Sequence, residues 1–297
     1  MKEFILLYFL MISIIASPYQ PPNDWQVADA AWLSNKIYKG VNTMDTSSGY
    51  VFDKHESNLF GAYAIWKQKN TGECYVVIRG THTVKDFFTD LDVTEYTDSE
   101  IKVKVHYGVR KRTEFITKSI DDKLKDCKED IIITGHSWGG SIAYYLYLLF
   151  VKRHLEDWGQ KNKASRFKAV LFAAPALTTR SEKENLVKFD SYVNWYKYGR
   201  DGIPFIISEA KRSPKFEALC NIFEVLGIHI TKKAYNIVKK VHYGNYFPGH
   251  KYLLTKDEII DYKDTNKIIE LYGYDEKALL DHMNFELSVN ILTKIWG

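Results

Sequence analysis

The chain has 297 residues, 45% of them hydrophobic and 15% aromatic, enough apolar material for one large core and too much for a mostly disordered chain. Forty-one basic and 37 acidic residues leave a formal net charge of +4. The two signs are interspersed, so nothing requires a nucleic-acid partner.

The N-terminus reads as a secretory signal. Lys2 precedes Phe4–Ala16, an uncharged apolar run of 13 residues, followed by small Ala16 and Ser17 and then by Pro18 and Pro21-Pro22. Thirteen residues fall short of a comfortable membrane span. The large Ile three positions before either candidate cut is unfavourable and leaves an uncleaved anchor as the alternative. The expected organisation is a signal peptide over residues 1–17 and a single domain over 18–297, in a protein that is secreted or lies in the endomembrane lumen.

Next come a helix over Trp25–Tyr38, with Asp24 as its N-cap, and two strands, Gly61–Gln68 and Cys74–Arg79, joined at Asn70-Thr71-Gly72. An exposed helix over Tyr107–Lys125 feeds the β-branched run Ile131-Ile132-Ile133, which suits a strand buried on both faces. Ser141–Val151 is small and apolar all round, as expected of a core helix. Phe167–Ala174 and Ser191–Tyr198 read as buried strands, His250–Leu254 as a short strand, and Asp275–Ile295 as a closing helix. Strands alternating with helices indicate an α/β fold with a mainly parallel sheet, whose reactive groups lie beyond the strands' carboxyl ends. Cys74, Cys127 and Cys220 permit at most one internal disulfide. Cys74 and Cys127 each precede a core strand and could face each other, although buried free thiols fit equally well. No spacing suggests a metal site or a cofactor.

The candidate chemistry centres on Gly135-His136-Ser137-Trp138-Gly139, which fits the G-x-S-x-G turn between a strand and a helix. The bare pattern arises by chance in about one chain in ten of this length. The flanking strand and core helix make it specific. A serine hydroxyl needs an imidazole base and a carboxylate that orients it, in the chain order Ser, Asp/Glu, His. Asp201 follows a buried strand, whereas Asp190 precedes that strand. His242, His250 and His282 all follow Asp201. His250 opens a strand and is the least suited of the three. The oxyanion of an acyl-transfer intermediate needs the N–H of Trp138 and a second donor from another strand-end turn, for which Arg79-Gly80-Thr81 is the best candidate. His136 is expected to pack on the side of the turn away from the serine.

The stretches Val76–Leu91 (VVIRGTHTVKDFFTDL), Val105–Gly108 (VHYG), ITGHSWGGSIA and Asp201–Pro204 (DGIP) resemble the class 3 lipases, which include fungal triacylglycerol lipases and sn-1 diacylglycerol lipases. The likeness extends from about residue 25 to the end. It implies an α/β-hydrolase fold, a Ser137–His282–Asp201 triad and an oxyanion hole built by Thr81 and Trp138. His282 is preferred because Asp281-His282 resembles the acid–His pair that opens the final helix of the diacylglycerol lipase branch, while His242 in VHYGN resembles the H-x-G of other members. Asp90 is expected to support the oxyanion turn. Thr83, Asp86, Phe87 and Phe88 would lie on a mobile lid or, alternatively, a fixed helix. The implied substrate is a lipid ester, acylglycerol or phospholipid, met at a membrane or lipid-droplet surface. Lys211, Arg212, Lys215, Lys232, Lys233, Lys239 and Lys240 either contact anionic headgroups or form a solvated face. Alternatives are a feruloyl-type carbohydrate esterase and an inactive lipid-binding protein on the same fold.

Overall fold

The computed structural model describes residues 21–40, 49–58, 61–80, 95–157, 166–178, 182–199, 201, 204, 246–262, 280–282 and 284–296. Among the described residues there are ten strands and five helices: α1 Asp24–Lys39, β1 Tyr50–Asn58, β2 Gly61–Gln68, β3 Cys74–Ile78, β4 Glu95–Thr97, β5 Lys104–His106, α2 Tyr107–Leu124, β6 Ile131–His136, α3 Trp138–Asp157, β7 Phe167–Phe172, α4 Lys183–Asp190, β8 Val193–Tyr198, β9 His250–Leu254, β10 Ile259–Asp261 and α5 Phe285–Trp296.

Eight strands form one sheet in the order β1-β2-β3-β6-β7-β8-β9-β10. The ladders from β3 through β6, β7 and β8 to β9 are parallel, and the pairs at the two edges are antiparallel. This is the expected mainly parallel α/β-hydrolase sheet. Its central strands are apolar because helices cover both faces. Every residue of β3, β6, β7 and β8 is buried. Alternation along β6 sends Ile131 and Ile133 into the core beneath α2 and α3, while Ile132 joins residues of α1 and α5 on the other face.

Several local expectations shift. The cap of α1 is Asn23, not Asp24: Asn23 Oδ1 accepts from the Gln26 N–H at 2.8 Å, and Gln26 Oε1 accepts from the Asn23 N–H at 3.1 Å. This reciprocal pair satisfies two donors at once, which a lone Asp24 would not. Helix α2 is exposed on one side only, since Val109, Ile116, Ile120 and Leu124 are buried in the core shared with α3. The closing helix is interrupted: a helical turn at 280–282 precedes α5, and Asn284 accepts from the Leu287 N–H at 3.1 Å where α5 begins. Cys74 and Cys127 form a disulfide with Cα atoms 6.0 Å apart.

Candidate active site

The elbow is built by β6, Ser137 and the start of α3. Ser137 has φ +58°, a left-handed conformation that costs a non-glycine residue about 1–2 kcal/mol. Two backbone bonds hold it there: the Ser137 N–H donates to Phe172 O at 2.8 Å, and the Gly140 N–H donates to Ser137 O at 2.9 Å. The glycines permit the close approach that the turn needs. A Cβ at Gly139 would lie 2.6 Å from Gly80 N, and one at Gly135 would lie 2.6 Å from both Gly139 C and Ile78 O. The nucleophile turn is thereby pressed against the end of β3, where Gly80 leads into Thr81.

Asp201 lies just past the C-terminal end of β8, with its N–H donating to Tyr198 O at 3.1 Å. It is 1% exposed. His282 reaches it from the helical turn before α5: His282 Nδ1 is 2.9 Å from Asp201 Oδ2, and His282 Nε2 is 2.9 Å from Ser137 Oγ. With Nδ1 protonated, that nitrogen donates to the carboxylate and Nε2 accepts from the serine hydroxyl. The line can therefore withdraw a proton from Ser137 and hold the resulting imidazolium against a buried carboxylate. Trp138 opens α3, so its backbone N–H sits beside Ser137 at the positive end of a helix. Near the end of β8, buried Lys197 donates to Gly199 O at 2.6 Å.

Three expected site residues, Ser137, Asp201 and His282, are thus brought together, with Trp138 adjacent. Thr81 lies outside the described residues, as do Thr83, Asp86, Phe87, Phe88, Asp90, His242 and the basic residues 211–240. Asp190 ends α4, ahead of β8, and accepts from the Tyr246 hydroxyl; burial raises its pKa. His250 pairs with Asn194 at the start of β8, away from the end that carries Asp201, and is exposed.

His136 requires a correction. It packs, as expected, but on the side where His282 approaches. Strand alternation places it on the same face as Ile132 and Thr134, whose hydroxyl contacts Ser34 of α1 at 3.1 Å. Helix α5 and the turn before it cover that face. The His136 ring stacks on Phe285 with centroids 4.3 Å apart and lies 4.9 Å from the His282 ring. Tyr38, in the last turn of α1, meets it edge-on, with its hydroxyl 3.3 Å from His136 Nδ1. Helical periodicity marks Tyr38 as inward-facing but carries no signal of this partner.

The class 3 lipase family model matches residues 75–210, a narrower span than the expected likeness. Among solved structures, the chain is similar to a deletion mutant of Rhizomucor miehei lipase in complex with its propeptide, with TM-score 0.61, 15% identity, and coverage of 91% of this chain and 80% of that one. It is also similar to a lipase from Rhizopus microsporus var. chinensis, with TM-score 0.57, 17% identity, and coverage of 83% and 81%. A third is a triacylglycerol lipase described as having a serine protease triad at its catalytic centre, with TM-score 0.57, 15% identity, and coverage of 86% and 88%. No curated protein matches the chain in sequence. Over residues 75–210 the chain carries the class 3 lipase pattern, on the α/β-hydrolase fold that these structures share.

Proposed function

We propose that this chain is a serine hydrolase that cleaves lipid carboxylic esters, acylglycerol or phospholipid, through an acyl-enzyme. The observation that carries this reading is the continuous line from Asp201 through His282 to Ser137, with 2.9 Å at each step. Ser137 Oγ attacks the ester carbonyl carbon while its proton passes to His282 Nε2. Asp201 holds the ring by its Nδ1–H and stabilises the imidazolium. The N–H groups of Trp138 and Thr81 receive the oxyanion, and each such donor is worth about 10²–10³ in rate. The intermediate expels the alcohol, which takes the proton from His282. Water, deprotonated by His282, then attacks the acyl carbon, releases the carboxylic acid and restores Ser137. None of these steps draws on a metal or organic cofactor.

The lipid class of substrate is supported by the family pattern and by structural relatives that are named as triacylglycerol lipases. Secretion, or passage through the endomembrane lumen, is part of the same proposal. The Cys74–Cys127 disulfide supports it, because such bonds persist in oxidising compartments. The test compares purified protein with Ser137→Ala on emulsified diacylglycerol and on soluble aryl-carbohydrate esters. Hydrolysis of the emulsion that disappears in the variant is expected. Preference for the soluble ester would point to a carbohydrate-side-chain esterase, and hydrolysis that persists in Ser137→Ala would end the proposal.

A further inference from the structure

Three groups that the mechanism leaves unused lie in a line beside the triad. Gly80, at the end of β3, is so close to Tyr38 that a Cβ there would sit 2.5 Å from the Tyr38 hydroxyl and 3.3 Å from Ser137 Cβ. The Gly80 backbone thus lies against the Tyr38 oxygen, and this contact opposes the rise that burial imposes on the phenol. A contact that favours a phenolate is donated to it, so the Gly80 N–H is the donor. The Tyr38 hydroxyl is then left to donate to His136 Nδ1, 3.3 Å away. The His136 ring faces His282 with ring centroids 4.9 Å apart, and the His282 backbone beside it favours the ring's protonated form, as a carbonyl facing a ring N–H would. A neutral imidazole has one acceptor and one donor nitrogen. Accepting at Nδ1 and donating from Nε2 uses both.

We propose that Tyr38 and His136 form a positioning relay, running Gly80 N–H to Tyr38 O, Tyr38 O–H to His136 Nδ1, and His136 Nε2–H to His282 O, which locks the oxyanion turn and the base-bearing turn into one frame around Ser137. The inference rests on the Ser137–His282–Asp201 reading. Two observations favour a relay over simple packing. The stacking of His136 on Phe285 at 4.3 Å needs only a flat ring, which Phe would supply, so the two nitrogens serve another purpose. Burial and the facing His282 also hold His136 neutral, which avoids a second cation 4.9 Å from a base that becomes an imidazolium in each cycle. The relay also spans segments far apart in sequence: residue 38 on α1, 80 after β3, 136 in the elbow and 282 before α5.

The test measures kcat and KM on p-nitrophenyl butyrate, together with thermal melting, for Tyr38→Phe, His136→Phe, His136→Gln, the Tyr38→Phe/His136→Phe double variant and Ser137→Ala. A Gln amide can both accept and donate, so it replaces the polar links but not the stacking. Loss of one positioning hydrogen bond by Tyr38→Phe should lower kcat about tenfold at nearly unchanged KM. Misplacement of the base in His136→Phe should cost about a hundredfold. His136→Gln should retain more activity than His136→Phe, and the double variant should be no worse than His136→Phe. The relay is overturned if Tyr38→Phe keeps its kcat, if His136→Phe is more active than His136→Gln, or if the losses multiply. Should His136→Phe not fold, Tyr38→Phe and His136→Gln still decide the matter by their kcat values. Ser137→Ala separates the two readings: full activity there removes the triad, whereas an inactive Ser137→Ala beside an unaffected Tyr38→Phe removes only the relay.

Discussion

Replacing Cys74 and Cys127 together by Ala removes a cross-link between the start of β3 and the segment leading into β6. The two cysteines are 53 residues apart in sequence. Closing a loop of that size withdraws about 14 cal/mol/K from the unfolded chain, or about 4 kcal/mol at 25 °C. With an unfolding entropy of about 2.1 cal/mol/K per residue over 297 residues, the melting temperature should fall by about 6 °C. The site should be spared, because Ser137 and Gly80 follow the opposite ends of these strands, on the order of 20 Å away. Urea unfolding of the parent and the double variant reads the stability difference, and kcat/KM at 25 °C checks the site. Thiol titration of the denatured, unreduced parent gives an independent count: of three cysteines, two are bonded, which leaves one thiol per chain. Three titratable thiols, or a stability loss below about 1 kcal/mol, would refute the cross-link as a stabilising element.

Asp201→Asn should keep the fold but lower kcat by on the order of 10²–10⁴-fold, because the amide favours the wrong tautomer of His282; a loss within about tenfold would refute the orienting role. Burial, reinforced by the facing His282 ring, holds His136 well below the ordinary histidine value of 6.5, so the unfolded chain takes up a proton that the folded state refuses. Stability should therefore decline as pH falls below about 6.5, by up to about 1.4 kcal/mol per pH unit until the folded-state value is reached. His136→Gln should flatten that decline by roughly 1 kcal/mol between pH 6.5 and 5.5, read as the difference in urea unfolding energies. The buried carboxyls of Asp29 and Asp190, raised by desolvation, favour the folded state toward acid, but they act equally in both proteins and cancel in the comparison. An identical acid slope in both would refute the buried neutral histidine.

The elbow was legible because local constraints write it into the sequence. A strand buried on both faces must be apolar, and a turn pressed against β3 must have glycine where backbone lies within 2.6 Å of a would-be Cβ. Asp201 was legible from its place after β8. His282 was distinguished from His242 by likeness to a family branch and by its place after the last strand. Strand β1 left little pattern: Tyr50–Asn58 mixes charged and apolar residues on the sheet edge, and its register shifts between Phe52 and Lys54. Such irregular, charged edges blunt strand pairing and blur the two-residue alternation. Strands β4 and β5 are three residues each, too short for periodicity to register. The position of His136 was misjudged because the face it occupies is decided by α5, more than 140 residues later. Tyr38 reaches that face only because α1 packs beside α5, a tertiary fact with no local trace.

The most direct measurement of the account is covalent capture of the nucleophile. Folded protein treated with a fluorophosphonate probe should take up one label per chain, mapped by peptide mass to the segment carrying Ser137, with the labelling rate collapsing in His282→Ala. Labelling at another residue, or no labelling of folded protein, would contradict a serine hydrolase centred on Ser137.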